Sequence, residues 1–174
     1  MAARPDCIAH WREIERPDED HYSGDDELLS IGASFGAHFG LTRLGIHHER
    51  LPPGRRTSYP HAESAEQEFV YVIEGTPDVW LDGRLHRLAP GDAVGFPSGT
   101  GLCHTFINNS DADVRLLVVG ERPKPENRIV YPRNPEQQAR RDDWWHDAPA
   151  RDMGDHDGLS DQLRAARAAS EPGT

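Results

Sequence analysis

Along the middle of the chain, apolar and polar residues alternate in short runs, and glycine, proline, aspartate or asparagine separates one run from the next. Period-two alternation places successive side chains on opposite faces of an extended backbone, so these runs predict strands. Glu68 to Ile73, EFVYVI, is the clearest, being rich in β-branched and aromatic residues. Leu41 to Leu51 reads as another. Leu41, Arg43, Gly45, His47 and Glu49 share one face of it, and Thr42, Leu44, Ile46, His48 and Arg50 share the other. Neither face is cleanly apolar, which fits a strand with a wet barrel interior on one side. Asp78 to Leu81 and Arg84 to Leu88 flank Asp82-Gly83. Asp-Gly between apolar alternations predicts a two-residue hairpin, because both central positions take positive φ. Ala93 to Phe96, Leu102 to Ile107 and Val114 to Gly120 supply further strands, and Leu28 to Phe39 holds one. No long helix interrupts the series, so the expected fold class is all-β, an antiparallel sandwich or barrel.

The pattern fades at both ends. Residues 1–27 are polar and acidic and read as an extended N-terminal arm, in which the spacing of Ile8, Trp11 and Ile14 allows one helical turn. Residues 28–120 form the barrel. Residues 121–174 are a C-terminal extension that packs on the barrel or on a partner subunit. Within it, Arg122 to Pro135 holds four prolines and reads as irregular, Asn134 to Arg141 allows a helical turn, and Asp161 to Ala169 contains good helix formers. The last residues, SEPGT, read as loose. Trp144-Trp145 stands in a polar surrounding, and two exposed indoles are unfavourable, so both are expected to dock.

Charge narrows the function classes. The net charge is -11 and no basic patch is long enough to follow a phosphate backbone, so nucleic acid is not an expected partner. No apolar run approaches membrane-spanning length, and the first twenty residues lack the apolar segment of a secretory signal. No membrane partner is expected, and the expected location is cytoplasmic. Cys7 and Cys103 are too few for a disulfide framework and read as reduced thiols.

The candidate chemistry lies in two stretches. PHAESAEQEFVYVIEG, Pro60 to Gly75, reads as strand, tight turn, strand. His61 and Glu63 are two apart and share a face, and Glu68 opens the next strand. In the second stretch, Gly91 to Asn108, His104 shares a face with Leu102 and Phe106. If that face is the interior, His61, Glu63, Glu68 and His104 converge as two imidazoles and two carboxylates, a donor set for a divalent transition metal such as manganese, iron, nickel or zinc. The alternative is a polar network without metal. Tyr59 shares the parity of His61 and is a candidate proton donor beside the metal, with Glu63 as the other candidate catalytic residue. His47, Phe96, Leu102 and Phe106 are candidate walls of a substrate pocket, His47 and His48 being unable to face inward together. Tyr71 packs outside, and Arg43 could meet an anionic substrate.

These residues resemble the two motifs of the cupin superfamily. Gly54, His61, Glu63, Glu68 and Gly75 stand in the places of the first motif, and Gly91, Pro97, Gly99, His104 and Asn108 in those of the second. Glu63 departs from the pattern, since the family usually has a second histidine there, and the departure bears on which metal is bound. The resemblance implies a cupin double-stranded β-helix, a jelly-roll barrel with N- and C-terminal extensions, of the small single-domain kind. It implies a metal-dependent enzyme acting on a small polar metabolite of sugar or oxo-acid type, with isomerase- or lyase-like chemistry. The alternatives are a non-haem iron dioxygenase and a barrel that binds a sugar without catalysis. A homodimer is expected, because jelly-roll sheets expose edges that pair and because Trp11, Trp144 and Trp145 suit an interface.

Overall fold

The computed structural model describes residues 4–170. The expected loose tail SEPGT, Ser170 apart, lies outside the described residues. Ten strands follow one another: β1 (Ile31–Ser34), β2 (Leu44–Leu51), β3 (Ala62–Glu63), β4 (Glu68–Glu74), β5 (Asp78–Leu81), β6 (Arg84–Arg87), β7 (Ala93–Phe96), β8 (His104–Ile107), β9 (Val114–Glu121) and β10 (Ile129–Val130). They build a five-stranded sheet in the order β1-β2-β9-β4-β7, a three-stranded sheet β6-β5-β8 and a small pair β10-β3. All pairings are antiparallel. The helices are short: α1 (Trp11–Ile14), α2 (Phe35–His38) and α3 (Asp161–Ser170). This is the antiparallel all-β fold the alternation predicts, in the jelly-roll arrangement the cupin resemblance implies.

The two larger sheets face each other across one core. Leu51, Val70, Val72, Phe96, Val114 and Leu116 come from the five-stranded sheet, and Val79 and Phe106 from the other. Full burial of such side chains stabilises by about 1.5–3 kcal/mol each. The alternation along β5 places Val79 in this core and Trp80 on the opposite face. The β5–β6 hairpin turns as Asp-Gly demands, with φ of 43° at Asp82 and 83° at Gly83.

The outer face of the three-stranded sheet is covered by the C-terminal extension. Trp145 packs there with Ala62, Trp80, Cys103 and Ile107, and the Trp80 indole N–H donates to the His156 carbonyl at 3.0 Å. Trp144 packs against the cluster of Tyr59, Ile129 and Tyr131. In the N-terminal arm, Trp11 stacks on the outward-facing His48, with ring centroids 4.4 Å apart. All three indoles therefore dock on their own barrel. On the outer face of β4, Phe69, Tyr71 and Ile73 stay exposed.

A buried ion pair ties both extensions to the segment before β3. Arg56, 1% exposed, donates to both carboxylate oxygens of Glu27 in the arm, at 2.6 and 2.7 Å, and to the Gly158 carbonyl at 2.9 Å. Arg167 on α3 adds a 3.1 Å bond to the same Glu27.

Three local expectations change. The proline-rich stretch expected to be irregular contains β10, whose pairing with β3 holds the strand that carries Glu63. The Leu28–Phe39 stretch holds its one strand, β1, but then turns into α2, capped where the Ser34 hydroxyl accepts from the Ala37 N–H. The helical turn in the arm begins at Trp11 and leaves Ile8 exposed. Cys7 and Cys103 are both free, the first exposed and the second buried. Among the described residues no helix is long and apolar enough to cross a membrane.

Candidate functional site

The site is built on a backbone pairing between two histidines. The His61 N–H donates to the His104 carbonyl at 3.1 Å and the His104 N–H to the His61 carbonyl at 2.9 Å, an antiparallel bridge beside β3 and β8. Directly opposed residues of such a pair put their side chains on one face. The two rings accordingly lie with centroids 4.8 Å apart. From the facing sheet, Glu68 at the start of β4 reaches His104, with Oε1 3.3 Å from Nε2. Phe96 of β7, paired in register with Glu68, lies flat on the His104 ring with centroids 3.5 Å apart. The sheets thus bring two imidazoles and one carboxylate to one end of the core.

The outer nitrogens of the two rings are held alike. Nδ1 of His61 lies 2.9 Å from the Tyr59 carbonyl and 3.2 Å from the Ser58 hydroxyl, and Nδ1 of His104 lies 3.3 Å from the Leu102 carbonyl. A carbonyl beside Nδ1 places the proton there and leaves Nε2 as the free acceptor, the arrangement of histidines that ligate metals. Burial, with the charge of His104, pulls His61 down to about 4, so its ring is neutral at physiological pH. Burial pushes Glu68 up, but the bond and charge of His104 outweigh it and leave the carboxyl below its ordinary range.

These three residues line an inner cavity of about 120 Å³ together with Glu49, Thr57, Ser58 and Phe106. Glu49 is a site residue that sequence reasoning passed over, although it shares a strand face with His47. Burial raises its carboxyl to about 7, the Ser30 hydroxyl opposing by hydrogen bonding to it and Glu68 adding repulsion. Glu63 does not line that inner cavity but lines two neighbouring ones, one with His47, Glu66 and Glu68 and one with Phe96, Leu102, Glu68 and His104. Burial, then repulsion from Glu66 and Glu68, raises it to about 7. His47 faces inward as expected, and its ring is held below its usual range by burial and the charge of Arg16. Arg43 is exposed.

Tyr59 is placed differently from its expected role. Its hydroxyl donates to Asp25 of the arm at 2.5 Å, its ring stacks on Tyr22, and only its backbone carbonyl meets His61. Parity with His61 does not carry through Tyr59-Pro60, which lies outside β3.

As they stand, no three His, Cys, Asp or Glu side chains among the described residues could hold a metal ion together. The chemistry of the donors nevertheless fits one. His104 Nε2 and the Glu68 carboxylate face each other at 3.3 Å, a contact that is favourable with a proton or a cation between them. With His61 Nε2 alongside, the set is nitrogen and oxygen without sulfur, suited to manganese, iron, nickel or zinc.

Residues 47–120 match the family described as Cupin domain. Over 94 residues the chain is 33% identical to a Streptomyces cyaneus protein named polyketide synthase CurC, a match that covers 54% of this chain and 56% of that protein. A solved structure from Silicibacter pomeroyi, named a sugar phosphate isomerase from the cupin superfamily, is 35% identical with a TM-score of 0.56, covering 59% of this chain and 64% of that one. A structure from Acidithiobacillus ferrooxidans, named a putative sugar phosphate isomerase, is 26% identical with a TM-score of 0.65, covering 73% and 81%. The chain thus spans under two thirds of the length of that Streptomyces relative and of the Silicibacter structure.

Proposed function

We propose, from the premise that the chain belongs to the cupin superfamily, that its barrel is a metal-dependent enzyme of isomerase- or lyase-like chemistry acting on a small polar metabolite of sugar or oxo-acid type. The observation that carries this reading is the pair His61 and His104, each with Nδ1 against a carbonyl, lining one cavity with Glu68, which meets His104 Nε2. His61, His104 and Glu68 would hold a divalent ion, with Glu63 beside them. Bound there, the ion would polarise a substrate carbonyl.

The chain's own residues supply the rest. Glu63 and Glu49, both raised to about 7, are poised to take and return a proton near neutral pH. Glu63, which shares a cavity with Glu68 and His104, is the proposed base. Phe96 fixes the His104 plane and excludes water from that side. The two neighbours named as sugar phosphate isomerases support this class of substrate.

One observation favours a second reading. Among the described residues Glu68 is the one carboxylate in contact with either imidazole, so the contacting set is two histidines and one carboxylate, the donor set of non-haem iron dioxygenases. Metal analysis with an oxygen electrode separates the two. The isomerase or lyase reading expects about one divalent ion per chain. His61→Ala and His104→Ala should each lose most of it and Glu63→Gln much less. Deuterium should exchange next to the carbonyl of a sugar or oxo-acid, without oxygen uptake. Iron with substrate-dependent oxygen uptake would replace it with the dioxygenase. Tight sugar binding with no exchange and no turnover would make the barrel a binding module.

A further inference from the structure

We propose that the N-terminal arm builds a second substrate subsite, which takes the neutral, hydroxyl-rich end of the molecule whose carbonyl is held at His61, Glu68 and His104. The inference rests on the enzyme reading above. The inner cavity is about 120 Å³, room for about four waters at roughly 30 Å³ each. That space suits a reacting carbonyl and its neighbours but not a whole sugar, so the remainder of the substrate needs another place.

A second cavity, of about 280 Å³, adjoins the first, with Glu49 and Thr57 lining both. Its other walls come from the arm and the chain entering β1, chiefly Arg16, Asp20, His21 and Ser30. The arm is held against the barrel by its backbone. Glu15 bridges to Ala33 beside β1, the Arg16 N–H donates to the Gly32 carbonyl at 3.0 Å, and the Leu29 N–H to the Asp20 carbonyl at 2.9 Å. The chamber is therefore preformed, which reduces the ordering cost of binding.

Its chemistry selects the ligand. Donors and acceptors alternate around it. Arg16 donates and Asp20 accepts, the Ser30 hydroxyl donates to Glu49 and leaves that carboxylate's other oxygen as an acceptor, and His21 has its Nδ1 against the Tyr22 carbonyl. Vicinal hydroxyls, each donor and acceptor at once, match such a lining. A phosphate does not. The one arginine is already paired, Arg16 Nη2 to Asp20 Oδ2 at 2.5 Å. A dianion here would compete with Asp20 for that arginine and sit against two carboxylates.

Equilibrium binding of neutral pentoses and hexoses, and of their phosphate esters, to the full chain loaded with Mn²⁺ tests this. D-Fructose and D-fructose 6-phosphate serve as the reference pair. The expected result is that the free sugar binds at least tenfold more tightly than its ester. Asp20→Ala, at a half-buried position, should weaken the free sugar about tenfold and reverse the preference by releasing Arg16 to the phosphate. A wild-type preference for the ester, no binding of any neutral sugar, or an Asp20→Ala variant with both affinities unchanged would overturn the subsite. Mn²⁺ stoichiometry, measured on the same samples, keeps the two readings apart. Normal metal content without the reversal defeats the subsite alone, and absent metal with the reversal intact defeats the enzyme reading alone.

Discussion

Two buried ionic assemblies lie close together in sequence, at Arg56 and at His61, and they are built on opposite rules. At Arg56 every charge is answered. The guanidinium meets both oxygens of Glu27 and a carbonyl, and Arg167 reaches the same carboxylate. In the pocket the carboxylates are left in excess. Among the described residues no ion pair reaches Glu49 or Glu63, and both are pushed up to about 7. A buried charge without a partner is costly, and a fold retains one where something outside the chain is to supply the compensation. The first assembly fastens the arms to the barrel. The second leaves an electrostatic deficit that a divalent cation would fill.

Three substitutions probe this contrast, beginning with the one expected to matter most. Arg56→Ala leaves Glu27 buried and short of its main partner, and should cost about 3–5 kcal/mol in urea unfolding. A loss under about 1 kcal/mol would mean that the clamp is no better than a surface pair. Glu49→Gln should act in the opposite sense on metal-free protein. Between pH 4.5 and about 7 the folded chain keeps a proton on Glu49 that the unfolded chain releases, so stability falls as pH rises through that window. The variant should flatten this slope and gain on the order of 2 kcal/mol at pH 8. Equal slopes in the two proteins would show that the pocket carboxylates are compensated after all. Tyr59→Phe should have the smallest effect. It removes the bond to Asp25, at a cost of about 1 kcal/mol, and leaves metal stoichiometry unchanged. Loss of metal in that variant would return Tyr59 to the site and blur the division.

The strands were legible because alternation is a local property. EFVYVI forms β4, and Asp82-Gly83 forms its hairpin with both φ values positive. His61, Glu68 and His104 were legible for a related reason, since their spacing within two motifs fixes which face they share. What stayed hidden depends on distant chain. Nothing near Arg56 in sequence says that it will be buried, because Glu27 and Gly158 come from either extension. Tyr59 was misjudged because a strand period was carried across a proline into a segment that is not a strand. Glu49 was placed on its face correctly, but its importance emerges only when β9 brings β2 and β4 into one sheet, so that Glu49 and Glu68 line one cavity. The short helix at Phe35–His38 rests on a single serine cap, a weak signal beside the glycines around it.

The clamp also sets an order of events. Glu27 and Arg56 are separated by 29 residues, Arg56 and Gly158 by 102, and Glu27 and Arg167 by 140. Contacts so distant in sequence close late, because the loop entropy they cost is repaid only once the intervening sheets have formed. On a ribosome the barrel strands would emerge and pair while the last partners of Glu27 were still unsynthesised. The segment that carries His61 would therefore become rigid only once residues 158–167 had been made, so that maturation of the pocket waits on the segment that follows the barrel.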